Sequence, residues 1–152
     1  MTNLTCDFSA AGIKDTQLIK PFSYINGSWH SSETQFPVTN PASGEIVVQM
    51  NDAGVAETEL AVSAAKGALK MWSTKSANER ATLLRNWFNL VMENQDDLGR
   101  ILTLEQGKPL AEAKGEIAYG AGFLEWFAEE GKRVYGDTIP ALSSDKKIVV
   151  IK

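Results

Sequence analysis

The sequence predicts an α/β chain, and three observations predict it. Asn26-Gly27 sits between the apolar flanks of "FSYINGSWH", the pattern of a tight β-hairpin. From Val55 to Phe127 apolar residues recur every three or four positions, as amphipathic helices require. The chain closes on "KKIVVIK", rich in β-branched residues.

Composition narrows the function classes. With 43% hydrophobic and 22% charged side chains, 152 residues carry enough apolar surface for one sizeable core. The 15 basic and 19 acidic residues give a net charge of −4, and the basic ones are scattered, so no nucleic-acid footprint exists. No apolar run approaches the roughly 20 residues a membrane span needs. No basic flank precedes an apolar stretch at the N-terminus and no Arg occurs before Arg80, so no secretory or mitochondrial signal is visible. A cytoplasmic location is expected. The single cysteine, Cys6, excludes an internal disulfide and a thiolate metal site.

In order along the chain, residues 1–20 show no helical or strand period, which predicts an arm ordered only by docking through Leu4, Phe8, Leu18 and Ile19. The Asn26-Gly27 hairpin follows. Asn40-Pro41 and Ser43-Gly44 mark a turn, and Glu45 to Met50 read as a strand. A helix is expected over about 55–72, starting near Asp52 or Gly54. Ser76 and Glu79 stand at capping-box spacing, so a second helix starts there. Its stripe runs Leu84, Phe88, Val91, Leu98, Leu102, interrupted by Asn94 to Asp97 and Gly99, which leaves either two helices or one kinked helix. Gly107 suits a left-handed helix end and Pro109 the first turn of the next helix. There Ile117, Gly120 or Ala121, Leu124 and Phe127 form the expected core stripe, with Gly131 and Gly136 as stop signals. A loop and an apolar β segment finish the chain, and that end reads as a strand cut short.

Candidate chemistry is sparse. "EQGKP" has one glycine, no Ser or Thr after Lys108, and a proline that removes an amide, so it turns the chain rather than cradling a phosphate. Gly120 and Gly122 lack the preceding strand and third glycine of a dinucleotide loop, and close helix packing is expected of them. Cys6 lies beside Asp7, whose negative charge works against a thiolate. His30, the sole histidine, follows the hairpin without a Ser or Cys partner, so a solvated role is expected. The helical glutamates solvate outer faces. Tyr119, Phe123 and Trp126, at i, i+4, i+7, pack in a core or line an apolar tunnel. The residues by themselves form no complete catalytic constellation.

Six segments in register add a resemblance. "YINGSW", "NPASGEIV", "AAKGALKMW", "ERATLLRNW", "LEQGKPLAEAKGEI" and "FAEEGKRVYGDTIP" resemble the N-terminal third of the NAD(P)-dependent aldehyde dehydrogenase superfamily. The likeness covers about residues 22–152. "LTLEQGKPLAEAKGEI" and "FLEWFAEEGKRVYGDTIP" are most similar to its succinate-semialdehyde dehydrogenase branch. The resemblance implies an α/β aldehyde dehydrogenase-like fold with an arm over 1–20, the N-terminal part of a cofactor-binding domain over 21–136, and the start of an oligomerisation strand over 137–152.

It also implies the chemistry of the whole enzyme. A cysteine thiolate attacks an aldehyde, amide donors hold the oxyanion, a hydride passes to NADP or NAD, and a Glu base activates the deacylating water. Those groups and the cofactor contacts fall in later segments, so no catalytic or cofactor-binding residue is expected here and the fragment alone should be inactive. Cys6 does not match the nucleophile's motif. Two roles are carried over: Tyr119 and Phe123 as lining of the substrate tunnel, and a monovalent-cation site from the Thr39 carbonyl and the Glu105 side chain. A solvated Glu105 is the alternative. The expected partners are a small aldehyde and further copies of the chain. The rival reading is a free-standing helical interaction module without catalysis.

Overall fold

The computed structural model describes residues 6–152. After a single 3₁₀ turn at Thr16–Leu18 come β1 (Ser23–Ile25), β2 (Ser28–His30), β3 (Gln35–Thr39) and β4 (Ile46–Asn51). Four helices follow: α1 (Val55–Thr74), α2 (Ala77–Glu93), α3 (Gln95–Gln106) and α4 (Leu110–Glu130). A last pair, β5 (Asp137–Pro140) and β6 (Lys147–Val150), ends the chain. Each consecutive pair of strands forms its own antiparallel two-stranded sheet. Among the described residues there is no parallel sheet.

Local chemistry accounts for most of these boundaries. Asn26 and Gly27 have φ of 50° and 80°, the two left-handed positions of a two-residue hairpin turn. The Ser76 hydroxyl accepts the Glu79 amide at 3.2 Å while the Glu79 carboxylate accepts the Ser76 amide at 2.7 Å, the reciprocal cap read from the sequence. Asn94 both closes α2 and opens α3, which resolves the kinked-or-broken alternative in favour of two helices. Gly107 ends α3 at φ 79°, and Pro109 precedes α4 as its cap.

The core is small. Phe8, Ile13, Val47 and Val48 are buried together, flanked by Cys6, Ile19, Val38, Met50, Ile101 and Leu104. The arm is therefore docked, as its apolar residues predicted, but Ile13 is a deeper anchor than Leu18 or Ile19. Leu4 lies outside the described residues. A second seam joins α4 to α2 and α3 through Ala113, Ala121 and Ala128 on α4 and Ala81 on α2.

Three expectations need correction. Phe127 is 58% exposed; the inward stripe of α4 runs Ala113, Ile117, Ala121, Leu124, Ala128, because alanines let neighbouring helices approach and a phenylalanine would hold them apart. Gly120 and Gly122 do not mediate close packing, since a Cβ at either would meet nothing within 4 Å. The glycine that does is Gly99, where a Cβ would stand 2.7 Å from Lys114 Cγ on α4. Finally, β5 is a strand where the sequence predicts a loop, and β3 is a strand for which it gives no signal; each contains a proline, Pro37 or Pro140, that weakens the strand pattern.

Much of the apolar surface stays in water. A compact protein of 16.6 kDa exposes about 7,600 Å². This chain exposes 10960 Å². No residue of α1 is buried, although Leu60, Val62, Leu69, Met71 and Trp72 lie along it.

Candidate functional site

The candidate substrate surface is the outer face of α4. Because Ala113, Ile117, Ala121, Leu124 and Ala128 turn towards α2 and α3, the roughly opposite face presents Tyr119, Phe123 and Trp126. Ala118 and Gly122 stand between these large rings and leave a depression of about 410 Å³, lined also by Phe127. The Tyr119 and Phe123 rings meet edge to face, 5.1 Å apart at 82°. Tyr119 is 71% exposed and Phe123 49%, so they are not core residues of this chain.

Charge pairs fix how α4 is presented. Arg85 on α2 reaches Glu125 at 2.5 Å and Glu129 at 3.1 Å, and its guanidinium lies 5.4 Å from the Phe88 ring centre. These bonds push the Arg85 pKa up, and Lys132 and Arg85 together hold the Glu129 carboxyl below the ordinary range. Lys108 is ion-paired to Glu116 one helical stretch further on. That partner uses its charge, which agrees with a turning role for "EQGKP".

Thr39 and Glu105 lie on neighbouring elements. α3 packs against β3, and its end is pinned where Gly107 meets Pro41. Thr39 closes β3 at an irregularity in the register with β4, which falls between Val38 and Thr39. Glu105 is more than a third exposed, yet neighbouring atoms desolvate its carboxyl enough to raise its pKa. Among the described residues its carboxylate has no hydrogen bond or ion pair. No group of three or more His, Cys, Asp or Glu that could hold a metal ion occurs among the described residues.

The remaining candidates stay apart. His30 ends β2, half-buried, while Cys6 packs against the core cluster, and no hydrogen bond joins them. A hollow of about 460 Å³ lined by Cys6, Asp7, Asn40, Glu45, Ile46 and Val47 is larger than the α4 depression. Its lining mixes polar and apolar groups and lacks a paired nucleophile and base, so the aromatic surface is the better place for an organic substrate. A dinucleotide cradle does not fit these residues: Gly120 and Gly122 lie inside α4, where the amides serve the helix.

Sequence reasoning missed Ala118, Gly122 and Phe127 as members of the depression. For Ala118 and Gly122 the signal was present, since 118, 119, 122, 123 and 126 share one helical face; Phe127 lies at its edge.

The chain thus combines three small hairpins with four helices and leaves the aromatic face of α4 exposed. Residues 29–152 match the aldehyde dehydrogenase family, and the chain belongs to that family. It is 55% identical over 142 residues to the glutarate-semialdehyde dehydrogenase of Pseudomonas putida and, equally, to the NADP(+) succinate-semialdehyde dehydrogenase of Escherichia coli. Each match covers 92% of this chain but 30% of the relative, so the chain spans about 30% of their length. A crystal structure of an E. coli NADP-dependent enzyme superposes with a TM-score of 0.86 at 55% identity, covering 91% of this chain and 29% of that one. No described helix is long and apolar enough to cross a membrane.

Proposed function

We propose that this chain is the N-terminal part of an NAD(P)-dependent aldehyde dehydrogenase that oxidises succinate semialdehyde to succinate. The observation that carries the reading is 55% identity over 142 residues to a succinate-semialdehyde dehydrogenase. Equal identity to a glutarate-semialdehyde dehydrogenase supports the homologue one methylene longer as a second substrate. Both are short aldehydes with a terminal carboxylate. NADP is the favoured cofactor, from the E. coli relative's name, with NAD the alternative. The nicotinamide supplies the hydride acceptor when bound elsewhere in the complete protein.

In this reading Tyr119 and Phe123 line the route by which the aldehyde enters, and exclude water from its methylene chain. The Thr39 carbonyl and Glu105 carboxylate hold a monovalent cation, which offsets the desolvation of Glu105. The divisions at residues 20 and 136, a cytoplasmic location and assembly into a homo-oligomer belong to the same proposal. The complete protein, assayed with both semialdehydes and both cofactors, tests it. Succinate semialdehyde with NADP is expected to give the highest kcat/KM, and no oxidation of either aldehyde would refute the assignment.

Two variants test the roles within that enzyme. Phe123→Ala should raise KM for the aldehyde about 5- to 150-fold, the worth of about 1–3 kcal/mol of apolar contact, with a smaller change in kcat. An unchanged KM removes Phe123 from the route. For the cation, potassium titrated into the wild-type protein at low ionic strength should lower the Glu105 pKa and raise thermal stability. Glu105→Gln should abolish the potassium dependence of stability.

A further inference from the structure

The docked N-terminal segment is held by apolar burial and by two side chains of α3, Asp97 and Arg100. Asp97 lies in the first turn of α3 and is only 6% exposed. Its Oδ2 accepts the Asp15 amide at 2.8 Å, and both of its oxygens lie within reach of the Lys14 amide, at 3.1 and 3.2 Å. A first-turn Asp ordinarily serves its own helix end. Here it reaches across more than 80 residues of chain instead. One turn along α3, Arg100 donates to the Ala11 carbonyl at 3.3 Å, and the Gly12 turn, φ 81°, presses so close that a Cβ would stand 2.8 Å from Arg100 Nη1.

The two contacts bracket Ile13. They hold it, with Phe8, over Val47 and Val48. Apolar burial supplies the attraction, and the carboxylate supplies the register, because it satisfies two backbone donors that the extended segment cannot pair within itself.

We propose that residues 7–20 form a strap latched to α3 by Asp97, and that the charge state of this single carboxylate decides whether the strap is shut over the core cluster. The charged groups facing Asp97 are Lys14 and Asp15 on the strap, Asp96 and Arg100 on α3, Glu93 at the end of α2, and Lys114 on α4, which is itself paired to Asp96. The amides of Asp15 and Lys14, with the charges of Lys14 and Arg100, hold the Asp97 carboxyl below the ordinary range. A depressed acid stabilises the folded form above its unfolded pKa and loses that contribution as pH falls through the folded one. The latch is therefore closed at neutral pH and opens only in acid.

The test reads amide hydrogen exchange, by mass spectrometry, and the rate at which Cys6 is alkylated. Asp97→Ala should speed exchange at Lys14 and Asp15 about tenfold or more, with faster Cys6 alkylation, while α2 and α4 keep their protection. Asp97→Asn, which keeps one acceptor oxygen, should fall between. Unchanged strap protection in Asp97→Ala overturns the proposal. Should that variant lose α2 and α4 as well, the wild-type chain decides: on acidification the strap must lose protection at a higher pH than α4. Joint loss of both at one pH overturns the latch.

Discussion

Gly107 and Gly136 show how much a single missing Cβ decides in this chain. Gly107 combines φ 79° with a contact in which a Cβ would lie 2.8 Å from Pro41 Cγ. Gly107→Ala carries a left-handed penalty of about 1–2 kcal/mol before any clash, so its urea midpoint should drop visibly. Gly136 faces a harder limit, since a Cβ there would stand 2.2 Å from the Val150 carbonyl oxygen. Gly136→Ala should detach β5 from β6, read as lost amide protection over 137–150 with α2 to α4 unaffected. Protection equal to wild type would show that the backbone shifts at no cost.

The helices were legible because their signals are local. Ser76→Ala removes one half of a reciprocal cap, and about 1 kcal/mol of α2 stability should go with it, measured by chemical denaturation. That cap, the Asn26-Gly27 turn and the Gly107 stop involve residues within a few positions of one another, so spacing reveals them. β3 and β5 were not legible, because a short strand is defined by a partner and Pro37 and Pro140 erode its pattern. Phe127 failed for a different reason. Helical period places it between the stripe facing α2 and the aromatic face, and which side wins depends on how closely α2 and α3 approach, a fact stored in Ala113, Ala121 and Ala128 together. The Asp97 contact spans more than 80 residues of sequence and left no local trace. Tyr119 and Phe123 were legible from their i, i+4 spacing as well as from the resemblance, and exposures of 71% and 49% argue against core packing as their role in this chain.

The whole chain carries an excess surface of about 3,400 Å² over a compact protein of its mass, at or above what one partner buries in a large obligate interface, about 1,000–2,500 Å². Val62, Leu69 and Met71 on α1, with Tyr119, Trp126 and Phe127 on α4, make up part of it. On the proposed function, these helices fold as a cover for elements supplied by the rest of the protein. Left alone, such faces bury one another, at about 25 cal/mol per Å² of apolar area. Sedimentation equilibrium of the isolated 152-residue chain, run with an apolar-surface dye, tests this most directly. The expected result is concentration-dependent association above 16.6 kDa with strong dye binding that fades as oligomers form. A dye-silent monomer at every concentration would contradict it.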